Sequence, residues 1–478
     1  MAYEDYEIVI GLETHVELAT KTKIFCSCST EFGGDPNSHC CPVCLAFPGA
    51  MPVLNEKVVE YAVKAGLATN CKIPDYTWQN RKNYFYPDMP PSYQVSQTEE
   101  FICQDGYVEV GAENETKKIR IHEIHIEADA GKLVHGEYTN NSLVDLNRAG
   151  VPLIEIVTEP DLRSAMEVEN YLKNLKAILE YVEVSDCKMQ EGSMRADINL
   201  SIRKKGDPKL GNRTEMKNMN SFKFIVKAID FEARRQMDIL DEGEKVVSET
   251  VRWDELLQKT VPMREKDSAA YRPFPDPELM PIRLPEEYVE NIRKNLPELP
   301  EVRKKRYIEE YKLPEYDANL ITNSKHLSNL FEGAVTICSN PKAVSNWIMT
   351  DITKVLNDKE IEPSEIPFKS EELGKLITLI DKGTISTSIG KKVLDEMFLN
   401  PRDPNKIIEE KGWIQISDEG AIKEIVLKIL KDNSQSVADY KQGKDKALGF
   451  LVGQAMRETK GKANPQMLNQ MFLEELNK

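Results

Sequence analysis

One segment near the N-terminus alternates apolar and ionisable residues with a period of two. It reads EIVIGLETHVEL (residues 7–18) and has Glu13, His15 and Glu17 at one parity and mostly apolar residues at the other. A strand sends alternate side chains to opposite faces, so the segment predicts a strand with one apolar face and one face of carboxylates and an imidazole. Such groups bind hard cations or transfer protons. The chain is therefore expected to build a sheet with one chemically active side.

Length, composition and charge exclude several classes of protein. The chain has 478 residues, 40% of them hydrophobic and 30% charged, which is typical of a multidomain globular protein. No apolar run approaches the roughly 20 residues of a membrane helix, and the acidic start lacks the regions of a signal peptide. We expect a cytoplasmic protein with no membrane partner. The net charge of −16 argues against sequence-independent binding of nucleic acid over a large surface, but it permits a local basic patch.

The pattern of the chain changes part-way along its length. Alternation typical of strands marks residues 119–131, 143–161 and 194–203, and helical periodicity marks 164–182 and 222–240. These segments predict an α+β fold with a mostly antiparallel sheet.

A proline-rich stretch at 272–287 marks the change, and helical patterns dominate from about residue 300. We predict a catalytic domain at 1–294, a helical linking segment at 295–330, and a helical and tail domain at 331–478.

Four of the nine cysteines lie in two close pairs within a short Gly/Pro loop at about 24–46: Cys26, Cys28, Cys41 and Cys44. Four thiolates suit a closed, tetrahedral, structural zinc site. His39 and Cys40 are spare candidates for the third position. Metal-free thiols are the alternative, and a redox role for Cys41 and Cys44 leaves the first pair unexplained.

Further strand-like segments repeat the mixture of apolar and ionisable faces. Together the polar faces carry six carboxylates: Glu13, Glu17, Glu127, Asp129, Glu155 and Asp197. Like charges repel unless cations neutralise them, and oxygen ligands favour Mg²⁺ or Mn²⁺. Arg81, Arg195 and Lys217 are candidates to hold the phosphates or the carboxylate of a substrate. The set therefore indicates a metal–nucleotide site that activates a carboxylate.

A solvated polar face is the alternative interpretation of any single carboxylate. The mixture of His, Asp, Asn and Arg, including His125 and Asn199, differs from the Lys, Glu and Thr of an ordinary wet face. The sequence has no P-loop and no dinucleotide-binding fingerprint, so ATP would bind through another architecture.

Three other segments offer candidate binding residues. Aromatic residues Tyr84, Phe85, Tyr86 and Tyr93 could stack on a base or line a pocket, although such residues are often core. Lys217, Asn218 and Asn220 could donate hydrogen bonds in a pocket. The alternative is that Asn220 or Ser221 is the N-cap of a helix.

Basic residues cluster at 439–470. They either contact a phosphate backbone or form a solvated helix face: Lys441, Lys444, Lys446, Arg457, Lys460 and Lys462.

Four long blocks resemble the B subunit of the aspartyl/glutamyl-tRNA amidotransferases: VIGLETHVEL, RKNYFYPDMPPSYQVSQ, LVDLNRAGVPLIEIVTEPD and KALGFLVGQAMRETKGKANP. The likeness covers essentially the whole chain. It implies a ligase subunit that uses ATP to phosphorylate the side-chain carboxylate of misacylated Glu-tRNA(Gln) or Asp-tRNA(Asn). Ammonia then arrives by a tunnel from the glutaminase (the A subunit), and a small C subunit joins the two. The implied fold is a cradle on a central sheet, followed by helical and tRNA-binding tail domains.

The resemblance also implies roles for residues. Glu13, His15, Glu127 and Glu155 match the catalytic magnesium-binding positions, and the four cysteines match a zinc knuckle. From the residue patterns themselves, apart from the resemblance, further candidates for ATP or substrate contacts are Glu17, Arg81, Tyr84, Tyr86, His125, Asp129, Arg195, Asp197, Asn199 and Lys217. The sequence departs from the family at Ala128, where the usual H-x-E-E-D-A-G-K has a second Glu, and at Ala270, where D-Y-R-Y-F-P is usual.

Two other classes of protein stay open at this stage. A small-molecule amide ligase of the glutamine-synthetase type would use the same carboxylate face without the basic tail. A non-catalytic RNA-binding scaffold would tolerate Glu13→Ala and His15→Ala.

Overall fold

The computed structural model describes residues 3–111, 116–135, 141–219, 221–263, 271–413, 419–441, 444, 446–459, 463 and 465–477. The chain forms two compact units, Met1–Pro300 and Glu301–Lys478. The domain limits predicted from the sequence stay predictions.

The strands all lie in the first unit: β1 (Tyr6–Glu17), β2 (Tyr76–Thr77), β3 (Asn80–Asn83), β4 (Tyr93–Ser96), β5 (Cys103–Gly111), β6 (Thr116–Ala128), β7 (Lys132–His135), β8 (Ser142–Asp145), β9 (Pro152–Thr158), β10 (Met194–Lys204), β11 (Thr214–Met219), β12 (Glu249–Asp254), β13 (Lys259–Pro262), β14 (Phe274–Pro275) and β15 (Ile282–Arg283). The described residues of the second unit contain no strand.

The helices of the first unit are α1 (Glu56–Ala68), α2 (Ala165–Tyr181), α3 (Phe222–Asp241) and α4 (Glu286–Lys294). Helix α5 (Pro300–Tyr311) begins at the unit boundary and continues into the second unit, ahead of the other helices there. Those of the second unit are α6 (Glu315–Thr322), α7 (Lys325–Cys338), α8 (Pro341–Asn346), α9 (Thr353–Lys359), α10 (Ser370–Asp381), α11 (Thr387–Leu399), α12 (Pro404–Lys411), α13 (Glu419–Asp432), α14 (Ser434–Lys441), α15 (Lys446–Glu458) and α16 (Pro465–Leu476), with a π-helical turn at Trp347–Ile352.

A large, mostly antiparallel sheet organises the first unit. Its strand order is β13-β12-β11-β10-β1-β9-β6-β5. The pair β11–β12 is parallel and the other neighbouring pairs are antiparallel. The α+β fold and the mostly antiparallel sheet predicted from the sequence are confirmed.

Helices pack on the apolar face of this sheet. Ile10, Leu12 and Val16 of β1 are buried in the same core as the inner faces of α1, α2 and α3. The hydroxyl of Ser221 accepts a hydrogen bond from the backbone N–H of Phe224, so Ser221 is the N-cap of α3. Asn220 lies outside the described residues. Because side chains alternate along β1, its ionisable residues project from the other face.

The second unit is helical, and its described residues form two hydrophobic cores. One includes Tyr307, Phe331 and Trp347, and the other lies between α13, α15 and α16. Among the described residues, no helix combines the length and the apolar character needed to span a membrane.

Candidate functional site

The register of the central strands aligns ionisable residues in rows. His15 of β1 lies opposite Glu155 of β9 and opposite Arg195 of β10, and Glu13 lies opposite Asp197. On the far side of β9, His125 of β6 lies opposite Glu155. Residues from four strands therefore meet on one face of the sheet.

The first group of these residues, here called the imidazole cluster, comprises His15, His125, Glu127 and Glu155. The Nε2 atom of His15 lies 3.4 Å from Oε2 of Glu155 and 3.9 Å from Oε2 of Glu127. His125 Nε2 lies 3.0 Å from Oε2 of Glu155 and 3.3 Å from Oε1 of Glu127. One ligand atom each of His15, Glu127 and Glu155 lies within 4.8 Å of the others.

Neighbouring side chains hold Glu127 in place. The hydroxyl of Ser96 donates to Oε1 of Glu127 at 2.8 Å, and Nε2 of Gln94 donates to Oε2 at 3.2 Å. Glu127 is only 3% exposed and His125 6%, so these contacts are desolvated. Orienting partners of this kind fix a ligand carboxylate before a metal binds.

The charges in the imidazole cluster stabilise one another. Burial alone would lower the pKa of His15, but its hydrogen bond to Glu155 and the charges of Glu155 and Glu127 raise that pKa overall. Burial would raise the pKa of Glu155, yet the charge and hydrogen bond of His125 hold it well below its usual range. The cluster therefore keeps its carboxylates ionised, as metal ligands must be, and it holds a proton on His15 that a bound cation would have to displace.

The second group, here called the carboxylate cluster, comprises Glu13, Asp197 and Glu215, whose ligand oxygens also lie within 4.8 Å of one another. Burial raises the pKa of Glu13, and the charge of Glu155 adds to this effect. Nδ2 of Asn199 donates to Oε1 of Glu13 at 2.9 Å. Lys217 Nζ lies 3.0 Å from Asp197 and 2.7 Å from Glu215, so its ammonium already offsets part of the negative charge.

A third set of charges lies where β1 ends. Asp129 Oδ2 accepts from Arg195 Nη2 at 3.1 Å and lies 3.2 Å from Nε of Arg148. Burial, with a further contribution from the charge of Asp129, raises the pKa of Glu17 to about 7. Arg195 and Asp129 are thus paired with each other.

Arg81 is also fixed by partners. Its guanidinium donates twice to Asp276, at 2.9 and 3.2 Å, and lies 3.1 Å from Glu278. It also stacks 4.1 Å from the ring centre of Tyr93. These residues line a cavity of about 320 Å³, here called the knuckle cavity, which Asp129, Cys26 and Cys44 also line.

Two of the predicted aromatic candidates lie apart from each other in exposure and contacts. The ring centre of Tyr84 lies 5.6 Å from that of Tyr271. The side chain of Tyr86 is 41% exposed.

The donor sets fit divalent cations. Two carboxylates and an imidazole in the imidazole cluster suit Mg²⁺ or Mn²⁺, and the carboxylate cluster offers oxygen alone. Of the four predicted magnesium ligands, the structure brings His15, Glu127 and Glu155 together and groups Glu13 with Asp197 and Glu215 instead. Ala128 belongs to the hydrophobic core, so the departure from the family at this position leaves both clusters intact.

The four predicted zinc ligands lie together. The sulfur atoms of Cys26, Cys28, Cys41 and Cys44 are within 4.8 Å of one another, and tetrahedral zinc needs sulfurs roughly 3.8 Å apart. Cys40 is not part of this group. A hydrogen bond from the Cys26 thiol lowers the pKa of Cys44 to about 4 and raises the pKa of Cys26 itself, so this pair shares a proton that a bound zinc ion would have to displace. The set fits a structural zinc ion.

Comparison with known proteins identifies the family. A model of the GatB/GatE catalytic domain matches residues 8–290, and a model of the GatB domain matches residues 329–476. The chain belongs to the B-subunit family of the tRNA-dependent amidotransferases. Proteins named as the B subunit of aspartyl/glutamyl-tRNA(Asn/Gln) amidotransferase from Caldicellulosiruptor bescii, Thermoanaerobacter pseudethanolicus and Clostridium tetani are 56%, 55% and 52% identical to it. The alignments cover 99% of this chain and 99–100% of each relative.

The tail of this amidotransferase homologue carries basic residues at helix ends. Lys441 ends α14, Lys446 begins α15, and Arg457 lies in its last turn. Lys444 is paired with Asp439 at 2.9 Å. Lys460, Lys462 and Ala270 lie outside the described residues.

The sequence pattern alone did not reveal several residues of these clusters and of their surroundings. Glu215 lies two residues before Lys217 in β11 and shares its parity, so the alternation could have revealed it. Asp276 holds Arg81 across 195 positions of sequence, and no local signal points to it. The same is true of Gln94 and Ser96, whose role depends on the approach of β4 to β6.

Proposed function

We propose that this chain uses ATP to phosphorylate the side-chain carboxylate of glutamate or aspartate esterified to tRNA, after which ammonia replaces the phosphate. A carboxylate oxygen attacks the γ-phosphorus of ATP, ADP leaves, and an acyl phosphate forms. Ammonia then attacks the carbonyl carbon, loses a proton and expels inorganic phosphate, which leaves the amide. The observation that carries the proposal is the presence of the imidazole cluster and the carboxylate cluster side by side on one sheet face.

The electrostatics of the two clusters support a reaction between anions. The substrate carboxylate and the triphosphate repel each other and the cluster carboxylates, so the reaction needs cations between them. His15, Glu127 and Glu155 would hold one divalent ion, and Glu13, Asp197 and Glu215 a second. Magnesium bound there supplies charge neutralisation at the phosphoryl oxygens.

Protein groups supply the rest of the environment. Lys217 adds a fixed ammonium beside the carboxylate cluster, held by Asp197 and Glu215. Ser96 and Gln94 keep Glu127 oriented, so the site needs little reorganisation before transfer. Glu127 and His125 are almost fully buried. A surface that excludes water would protect an acyl phosphate from hydrolysis.

The remaining components of the reaction follow from the resemblance. The glutaminase, or A subunit, would release ammonia from glutamine and pass it through a tunnel, and a small C subunit would join the two. The chain would then be the kinase and transamidase subunit of a glutamine-dependent carbon–nitrogen ligase. We propose a cytoplasmic location, where the chain would meet its aminoacyl-tRNA substrate.

Two further parts of the chain would support this activity. A zinc ion in the four-cysteine group would cross-link the loop that lines the knuckle cavity. The basic residues Lys441, Lys446 and Arg457 of the tail would contact the phosphate backbone of the tRNA.

The proposal is tested by purifying the chain with the proteins that bind it in its host and supplying Glu-tRNA(Gln) or Asp-tRNA(Asn). We expect the amide to form only with ATP, together with one ADP per amide. We also expect no glutaminase activity from the chain alone. Amide formation that proceeds equally without ATP would overturn the proposal, as would glutamine hydrolysis by the isolated chain.

A further inference from the structure

Lys23 is a lysine whose side chain is completely buried in the first unit. It lines the knuckle cavity, and its Nζ donates one hydrogen bond, at 3.2 Å, to the backbone oxygen of Leu146. Lysines are almost never buried to this extent unless a negative group pairs with them, because burial removes the hydration of the ammonium. We therefore looked for a negative group close to Lys23.

The carboxylates that line the knuckle cavity are already held by arginines. Asp129 is paired with two guanidinium groups, at 3.1 and 3.2 Å. Asp276 and Glu278 both hold Arg81. Among the residues that the structure describes, Lys23 has no carboxylate partner. The negative group that compensates its charge is therefore of another kind.

The four-cysteine group lies beside Lys23. The backbone N–H of Lys23 donates to the oxygen of Cys28 at 3.0 Å. A β-carbon added to Gly150 would lie 3.8 Å from Cδ of Lys23 and 3.9 Å from Cβ of Cys44, so these two side chains flank the same point. The hydrogen bond from Cys26 is the main cause of the low pKa of Cys44, and the positive charge of Lys23 adds to it.

The charge of the four-cysteine group depends on zinc. Four thiolates around Zn²⁺ carry roughly two net negative charges, which a nearby ammonium offsets. Without zinc the group is less negative, because the hydrogen bond with Cys44 raises the pKa of the Cys26 thiol, which then keeps its proton. The ammonium of Lys23 is therefore best compensated when zinc is bound.

We infer that Lys23 is the charge partner of a zinc tetrathiolate in the four-cysteine group, and thus a positioning residue of that metal site. The inference rests on the zinc ion proposed above and goes beyond it, because it gives a role to a residue outside the four ligands. Zinc binding and the burial of Lys23 then stabilise each other.

The same ammonium connects the zinc site with the loop that precedes β9. Leu146 in this loop accepts the hydrogen bond from Lys23, and the backbone oxygen of Gly150 accepts from the N–H of Ile24 at 2.9 Å. The N–H of Gly150 donates in turn to the backbone oxygen of Asp129 at 2.9 Å. A zinc-loaded knuckle therefore supports the backbone from which the Asp129 carboxylate projects.

The experiment measures the zinc affinity of the purified full chain by competition with a chromophoric chelator. Lys23→Met removes the charge and keeps an unbranched side chain of similar length. We expect it to weaken zinc binding about ten- to hundredfold, and Lys23→Arg to recover part of the affinity. Lys21→Met removes an exposed cation two residues earlier and is the matched control, which should bind zinc as the wild type does.

Urea unfolding distinguishes charge compensation from simple packing. Replacing a buried ion by an apolar side chain of similar size is often neutral or stabilising. In EDTA, Lys23→Met should therefore unfold at the same urea concentration as the wild type or at a higher one. With zinc bound, it should unfold at a lower one. A lower midpoint in both conditions would mean that Lys23 only packs and bonds to Leu146, and would overturn the inference.

The zinc measurements separate this inference from the proposed zinc site. If the wild type binds zinc and Lys23→Met binds it equally tightly, the role given to Lys23 is wrong and the zinc site stands. An equal loss of affinity in Lys21→Met would also contradict that role, because any nearby cation would then have the same effect. If the wild type itself binds no zinc, the zinc site and the inference both fail.

Discussion

The Nε2 atom of His15 lies 3.4 Å from Oε2 of Glu155, and the two residues are directly opposite each other in the β1–β9 pair. Backbone pairing therefore sets the separation of these two ligand atoms. A sheet is rigid, so the site does not depend on a flexible loop for its first two ligands.

Glu155→Gln should abolish the proposed reaction. The change removes an anionic ligand and leaves His15 and His125 without their nearest carboxylate oxygen. We expect Mn²⁺ affinity and ATP-dependent amide formation to fall by about a hundredfold or more. Mn²⁺ binding followed by electron paramagnetic resonance, beside the amidation assay, checks this. Glu109→Gln is the control and should behave as wild type, because Glu109 of β5 only forms an outer ion pair with Lys118 of β6.

The four-cysteine group should hold one zinc ion per chain. Cys41→Ser should release that zinc, whereas Cys40→Ser, one residue earlier, should retain it because Cys40 is outside the group. Metal analysis of the purified variants by mass spectrometry distinguishes them. Equal zinc content in both variants would contradict the assigned ligand set.

Glu17 should make the first unit less stable as the pH rises. Its folded pKa is about 7, mainly because of burial, compared with the ordinary glutamate pKa of 4.5. Between these values the folded chain keeps a proton that the unfolded chain releases, so the free energy of unfolding falls with increasing pH. Relative to Glu17→Gln, wild type should lose about 3 kcal/mol from pH 4.5 to pH 8. Urea unfolding of both proteins in EDTA measures this difference, and a constant difference would refute it.

The tail should contribute the salt dependence of tRNA binding. Replacing Lys441, Lys446 and Arg457 by Ala should reduce the slope of log affinity against log salt by about one unit for each phosphate that is no longer neutralised. Lys428, which is paired with Glu458 at 2.6 Å, supplies a control substitution. An unchanged slope in the triple variant would place the tRNA contacts elsewhere.

The alternation of residues along each segment predicted which side chains share a face of a strand. It did not predict which strands are neighbours in the sheet. The alternation around His15 determined which side chains share a face, because that depends only on the two-residue period. It could not show that Glu155 and Glu127 meet His15, since strand order joins segments more than a hundred residues apart. For the same reason the alternation could not show that a carboxylate oxygen of Glu13 lies with those of Asp197 on β10 and Glu215 on β11.

The most direct test of the account follows oxygen from substrate to phosphate. Glu-tRNA(Gln) labelled with ¹⁸O in its side-chain carboxylate is converted by the purified complex with ATP and glutamine. If the carboxylate attacks the γ-phosphorus, each inorganic phosphate released carries one ¹⁸O atom, as mass spectrometry would show. Phosphate free of ¹⁸O, with amide formed in equal amount, would contradict the acyl phosphate and with it the proposed role of both clusters.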